Sequence, residues 1–202
     1  SIEIKHSKRR ISYKKAMKFL DKRVHEIKEN KNYELLWILE HPIIYTAGIR
    51  SSNSEILDKK IKVIKTNRGG KITLHNPGQK IIYLVLNLNK RKKDIRKLIS
   101  AIEKSIIEFL KIFKIKGDSD KKNIGIWVNK KKIAAIGLRV SKWIAYHGCS
   151  INYNNNLRQY SKIMPCGLDN RKVTSVFNES NVKIKDIEKK LEKIFLKNIT
   201  RI

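Results

Sequence analysis

Three stretches of this 202-residue chain place glycine, histidine, lysine or cysteine where a plain hydrophobic core has no use for them. The first runs Asn67-Arg68-Gly69-Gly70-Lys71-Ile72-Thr73-Leu74-His75-Asn76-Pro77-Gly78-Gln79. Paired glycines ahead of a strand let the backbone approach a ligand and present N–H groups without Cβ obstruction. Arg68 and His75 add polar side chains within reach of such a loop. An ordinary Gly-Gly turn followed by a hairpin would use the same residues. The spacing matches neither a P-loop nor G-x-G-x-x-G, so nucleotide binding gains no support. The second stretch is Lys130-Lys131-Lys132-Ile133-Ala134-Ala135-Ile136-Gly137-Leu138-Arg139. A lysine leading into an apolar strand is usually a solvated strand end. The alternative is a lysine aimed into a site, where its charge or amine acts on a neighbour. Period-two alternation puts Lys130 and Lys132 on one face and Lys131 on the other, and Ala134, Ala135 and Gly137 leave room for a ligand beside the strand. The third is His147-Gly148-Cys149 and, further on, Pro165-Cys166-Gly167. A free cysteine is more often a small buried hydrophobe than a nucleophile. Flanking Pro165 and Gly167 favour an exposed turn around Cys166, whereas Cys149 sits mid-strand and reads as packing.

The elements that must hold these residues follow from periodicity. Tyr13, Ala16, Met17, Leu20, Val24 and Ile27 recur at helical spacing between Ser12, a natural cap, and about Glu29. Ile95, Leu98, Ile99, Ile102, Ile106, Phe109 and Phe113 line one side of a helix over Asp94 to Phe113, and a last helix covers about Lys185 to Ile199. Leu35 to Leu39 is a short apolar run that reads as a buried strand, and Arg50 to Glu55 as loop. Lys71 to His75 and Lys80 to Leu88 read as two strands; Asn76-Pro77-Gly78 between them is turn chemistry, which predicts a hairpin. Ile124 to Val128 and Ile133 to Val140 are strands around a Lys-rich turn at Asn129 to Lys131, with another strand over Trp143 to Asn152. The fold class is therefore α/β (α+β), a mixed β-sheet with helices packed on it. Length and the lack of any Pro/Gly/Ser linker predict a single domain over 1–202.

Composition bounds the function. Hydrophobic residues make up 41% of the chain, so it is not disordered by composition. No run reaches the length needed to span a bilayer, and Ser1 to Ile11 holds no apolar stretch that could serve as a signal peptide. A soluble, cytoplasmic protein is expected, with an organelle matrix as the other setting. Two cysteines without CxxC spacing make neither a zinc site nor a disulfide scaffold, so no metal is expected and a thiol stays available. The net charge is +29, from 47 Lys and Arg against 18 Asp and Glu. That field attracts acidic partners. Basic residues nevertheless recur in almost every segment instead of forming a stripe with interleaved aromatics, so neither nucleic acid nor membrane is the expected partner.

In order along the chain, Tyr13 and Ala16, His41-Pro42…Tyr45-Thr46-Ala47-Gly48, Arg68-Gly69-Gly70…Thr73…His75…Pro77-Gly78-Gln79, Gly125-Ile126-Trp127, Lys132-Ile133-Ala134-Ala135-Ile136-Gly137, His147-Gly148…Asn152, and Pro165-Cys166-Gly167 with Val173-Thr174-Ser175 resemble the octanoyltransferase family, also called lipoyl(octanoyl) transferases or lipoate–protein ligase B. Each piece is weak; their order is specific. The sequence departs from the family where Asn76 stands in place of the usual glycine, and where Cys149-Ser150 replace apolar or small residues. The Lys run leaves the catalytic lysine ambiguous by composition, and the Ile-Ala-Ala-Ile-Gly frame selects Lys132.

The resemblance implies the fold shared with biotin and lipoate protein ligases and a two-step acyl transfer. Octanoyl-acyl carrier protein delivers its thioester to Cys166. A lysine of an apo lipoyl domain, in 2-oxoacid dehydrogenase complexes or the glycine cleavage H protein, then takes the octanoyl group, the first step of protein lipoylation. By the same resemblance, Lys132 would be the second catalytic residue. Arg68, Gly69, Gly70, Lys71, Ile72, Thr73, Leu74, His75, Ala135, Ile136, Gly137, Gly148, Cys149 and Ser150 would line the substrate pocket. No cofactor is implied, ATP included, because the donor arrives activated; a monomer is expected. Chemistry sets its own demands. An unperturbed thiol is only a few per cent thiolate at pH 7, and a lysine cation within about 4–6 Å favours the thiolate. The tetrahedral intermediates need donors, for which N–H groups near Gly69-Gly70, Gly137 or Gly148 are candidates. Two other readings differ in chemistry. An ATP-dependent ligase would form an adenylate and need no cysteine, and a basic binding module would be indifferent to Cys166→Ser.

Overall fold

Strand β2 (Glu34–Leu39) is buried at every position, which explains why it reads as a continuous apolar run and not as an alternating one: both faces of its sheet are covered. In the computed structural model, which describes residues 1–164 and 172–202, β2 lies in a seven-stranded sheet of order β1-β2-β6-β10-β9-β8-β7. Its other members are β1 (Ile2–His6), β6 (Gln79–Asn87), β7 (Asp118–Ser119), β8 (Ile126–Val128), β9 (Lys131–Ser141) and β10 (Ile144–Asn152). β1 and β2 pair in parallel and the remaining neighbours are antiparallel. Helix α1 (Tyr13–Lys28), capped by Ser12 Oγ accepting Lys15 N–H at 3.3 Å, covers one face. There Ala16, Leu20, Val24 and Ile27 pack on Leu35, Trp37, Ile81, Tyr83 and Tyr146. Helix α2 (Ile95–Ile112) starts at the Asp94 cap, and with α4 (Ile187–Ile199) it covers the other face, where Ile102, Phe109 and Phe195 meet Leu36, Ile82, Leu84 and Ile151. A one-turn helix α3 (Val176–Glu179) precedes α4.

A second, three-stranded sheet of order β4-β3-β5 holds β3 (Ile44–Ala47), β4 (Val63–Lys65) and β5 (Ile72–His75). The expected hairpin across Asn76-Pro77-Gly78 does not form. β5 pairs with β3, whereas β6 runs between β2 and β10 of the large sheet. The turn is satisfied from elsewhere. Asn76 Nδ2 donates to Asn156 O (2.9 Å) and Gln159 Oε1 (2.7 Å), and Asn155 Nδ2 donates to Asn76 Oδ1 (2.9 Å). Gly78, at φ +90°, donates its N–H to Glu40 Oε2 (2.8 Å). These bonds let the chain change sheets where a cross-strand ladder would have turned it back. Around the Lys-rich turn the expectation holds, with Asn129 and Lys130 both at positive φ joining β8 to β9. Arg50 to Glu55 is irregular apart from one short 3₁₀ turn, Asn53–Glu55. Among the described residues no helix is long and apolar enough to cross a membrane.

Candidate active site

Between α1, β6, β9, β10 and the segment 68–75 lies a cavity of about 490 Å³. Most of the residues expected to bind substrate line it: Arg68, Gly70, Lys71, Ile72, Thr73, His75, Ala135, Ile136, Gly137, Gly148, Cys149 and Ser150, and with them Lys132. Two do not. Gly69 packs on β9, donating its N–H to Leu138 O at 3.0 Å, and Leu74 is buried in the core of the small sheet with Tyr45, Tyr160 and Ile163. Cys166 lies outside the described residues. The flanks of its segment are defined: Met164 N–H donates to Glu55 O (2.8 Å), Val173 bridges to Lys132, and Thr174 N–H donates to Lys132 O (2.9 Å).

Lys132 reaches the cavity through a break in strand periodicity. Ile126 pairs with Ala134, yet the next residue, Trp127, pairs with Lys132. Ile133 is therefore an extra residue, a β-bulge of the kind that re-aims side chains beside functional sites. Strict alternation would set Lys132 on the face opposite Ala135 and Gly137. With the bulge, Ile133 and Ala134 both enter the core, and Lys132, only 7% exposed, shares the cavity wall with Ala135 and Gly137. Its Nζ sits 5.6 Å from the centroid of the Trp127 ring.

The small residues make room for the protein's own backbone as well as for a ligand. A Cβ on Gly137 would lie 3.0 Å from Gly69 O, and one on Gly48 would lie 2.3 Å from Gly70 O. The loop thus closes down between β9 and the end of β3. Arg68 locks it there, donating from Nη1 to Gly69 O (2.9 Å) and from Nη2 to Thr46 O (2.9 Å) and Thr46 Oγ1 (2.8 Å). Its guanidinium is first of all the brace of the Gly-Gly loop.

The cavity floor is a cluster of neutral rings that the sequence reading did not assemble. Tyr13, Ile81, Tyr83 and His147 line the cavity, as do Arg50 and the segment 121–124 at its edge. His41 lies beneath, its ring centroid 5.4 Å from Tyr13, 5.6 Å from His75 and 5.7 Å from Tyr83. Ile11 O can only accept, so His41 Nδ1 carries the proton of that 2.6 Å bond, and Nε2 accepts from Tyr83 OH at 2.8 Å. Gln79 spends its amide N–H groups on Leu74 O, Asn152 Oδ1 and Tyr160 OH, so its Oε1 accepts from His75 Nδ1 at 2.8 Å. Nε2 of His75 is then a hydrogen-bond acceptor. His147, at φ +70° in mid-strand, turns its ring onto Tyr146 and Tyr83 and bonds Asn67 Oδ1 through Nε2 at 2.8 Å. Burial holds all three imidazoles uncharged, lowering His41 to about 4 and His75 and His147 to about 3. The clue was the His-Pro and His-Gly dipeptides, but they lie far apart in the chain.

Charge in the cavity is of one sign. Arg50, Arg68, Lys71, Lys121, Lys122 and Lys132 line it, and among the described residues no carboxylate does. Cys149 also lines it, but burial pushes its thiol far up, so it is a wall and not a nucleophile. A wider hollow, about 760 Å³, lies where the basic segment His6–Arg10 faces Glu40, Lys80 and Glu188; it holds none of the expected site residues. Among the described residues no group of three or more His, Cys, Asp or Glu could hold a metal ion. The cationic lining suits a ligand that carries, or is attached to, negative charge.

Comparison with known proteins shows the family and the fold. Residues 12–196 match the lipoyl protein ligase A/B catalytic domain. The chain is 46% identical to an octanoyltransferase of Wolbachia sp. subsp. Brugia malayi (strain TRS), over 82% of this chain and 83% of that one. It is 45% identical to an octanoyltransferase of Wolbachia pipientis wMel, over 93% and 94%. Among solved structures, lipoate-protein ligase A bound with ATP superposes with a TM-score of 0.76 at 14% identity, covering 98% of this chain and 86% of that one. Biotin protein ligase from Aquifex aeolicus in complex with biotin and ATP superposes at 0.58 with 15% identity, covering 99% and 70%. At such identities the superpositions speak for the fold.

Proposed function

Because the chain belongs to the lipoyl protein ligase A/B catalytic-domain family, we propose that it transfers an octanoyl group from an acyl carrier protein thioester to a lysine of apo lipoyl domains, through an acyl-enzyme on Cys166. Homologues that carry the octanoyltransferase name over most of their length support the acyl group. The observation that carries the mechanism is Lys132, a buried lysine turned by a bulge onto the wall of a cavity with apolar sides.

In the first step the Cys166 thiolate attacks the thioester carbonyl, and the carbonyl oxygen becomes an oxyanion. Collapse re-forms the carbonyl and expels the carrier thiolate, which takes the proton of the Lys132 ammonium and leaves that lysine as a neutral amine. In the second step the acceptor amine attacks the new thioester, loses its proton, and the Cys166 thiolate leaves. Lys132 acts in both: its ammonium favours the thiolate, and once that charge is consumed its amine can accept the proton of the attacking lysine. Gly69 N–H is committed to Leu138 O, so Gly70, at φ +90° on the cavity wall, is the donor of that pair assigned to the oxyanion. ATP has no role, because the thioester already stores the activation that an adenylate would supply. The cationic rim draws in the acidic carrier and lipoyl domains, which raises encounter rate more than affinity.

The test is transfer without nucleotide. Purified enzyme, octanoyl-acyl carrier protein and an apo lipoyl domain, with no ATP, should give octanoyl-lysine on the lipoyl domain, and Cys166→Ser should abolish it. Product that forms only when ATP and free octanoate are added would identify a ligase instead.

A further inference from the structure

Lysine reaches a site on four rotatable bonds, and a catalytic amine must hold one of many rotamers. At Lys132 the strand bulge chooses the face, but a bulge does not choose the rotamer. Two further residues lie against the side chain. Gly125, at φ +146°, sits where any side chain would collide with the lysine stem: a Cβ there would lie 2.6 Å from Lys132 Cε, 2.7 Å from Ala134 O and 3.4 Å from Lys132 Nζ. The Trp127 ring centroid lies 5.6 Å from the ammonium, within the range of a cation–π contact.

The Trp127 ring is itself fixed. Its Nε1–H donates to Asn123 O at 3.1 Å, and Asn123 is tied through Nδ2 to Asp120 Oδ2 at 3.1 Å, while Asp120 Oδ1 accepts Lys122 N–H at 2.8 Å. The Lys132 main chain is pinned from the other side by Thr174 N–H on its carbonyl. Stem, head and backbone of this lysine therefore each meet a dedicated partner.

We propose that Gly125 and Trp127 are positioning residues for Lys132, a seat in which the missing Cβ admits the lysine stem and the indole face holds its ammonium toward the cavity. The proposal rests on the catalytic reading of Lys132 given above. A plain packing role for Trp127, or a plain turn requirement at Gly125, would make the same residues matter for folding alone, so the test must separate the two.

Single-turnover octanoyl transfer is measured for Trp127→Leu, Trp127→Phe and Gly125→Ala, each also in a Lys132→Ala background, with melting temperature and the KM for octanoyl-acyl carrier protein alongside. Trp127→Leu should lower kcat about tenfold with KM within about twofold, since positioning and not binding is lost. Trp127→Phe, which keeps a ring face, should recover most of that loss. Gly125→Ala should lower kcat at least as much. In the Lys132→Ala background neither Trp127 variant should lower the residual rate further, because nothing remains to be positioned, and Gly125→Ala should lower it less than in the parent, its remaining clash being with Ala134 O. Equal losses in both backgrounds, or Phe as harmful as Leu, would overturn the seat. If Gly125→Ala does not fold, the Leu and Phe pair still decides. Parent-like transfer by Lys132→Ala would instead remove the catalytic reading on which the seat depends, an outcome distinct from either.

Discussion

Lowering the pH from 7.5 to 5 should remove a large share of the stability of this fold, and the three buried imidazoles set the size of the loss. In the unfolded chain a histidine titrates near ~6.5; in the folded chain burial holds His41 near about 4 and His75 and His147 near about 3. Between those limits the unfolded state binds more protons, so stability falls with falling pH and is level above about pH 7. At pH 5 the difference is worth about 2 kcal/mol for each ring, or about 6 kcal/mol for three. Most carboxylates are still ionised there, so the loss belongs to the histidines. It is a large share of the ~5–15 kcal/mol that folded domains possess, and mounting positive charge on a chain already at +29 acts in the same direction. Guanidinium unfolding followed by tryptophan fluorescence at pH 7.5, 6.5, 5.5 and 5 reads this directly. The midpoint should stay level down to about pH 7 and then drop, and His75→Gln should remove about 2 kcal/mol of the drop. A midpoint unchanged between pH 7.5 and 5 would show that these rings are not held neutral, and the cavity floor described here would be wrong.

Cys149→Ser should leave both acylation and transfer within about threefold of the parent, and iodoacetamide at pH 7.5 should leave Cys149 unlabelled, because its thiol is buried and raised; peptide mapping by mass spectrometry checks both. Asn76→Gly should cost about 2–4 kcal/mol in denaturant unfolding, since three hydrogen bonds in a buried turn are lost, one of them donated by Asn155.

Much of the fold was legible because burial is periodic. Helices α1, α2 and α4 show apolar residues at helical spacing, and β2 and β6 show the apolar runs of a sheet covered on both sides. β1, β3 and β4 did not stand out: each spans five residues or fewer, and charged or polar residues interrupt their pattern. The failed hairpin has one physical cause. Turn chemistry at Asn76-Pro77-Gly78 reports that the chain bends, but only the distant partners Glu40, Asn155, Asn156 and Gln159 decide which sheet it enters. Arg68, His75 and Lys132 were visible as residues out of place in a core. Two things were not visible: that a bulge at Ile133 puts Lys132 on the same wall as Ala135 and Gly137, and that Tyr13, His41, Tyr83 and His147 gather from three elements and the loop after β2. Both depend on register and backbone sign, which a single sequence does not display.

The most direct measurement is the mass of the enzyme itself. After mixing with octanoyl-acyl carrier protein alone, the protein should carry one octanoyl group that hydroxylamine removes, mapped to Cys166, and Lys132→Ala should acquire it more slowly at neutral pH, with partial recovery as the pH is raised. An unmodified enzyme, an adduct on another residue, or equal acylation rates with and without the Lys132 amine would contradict the proposed chemistry.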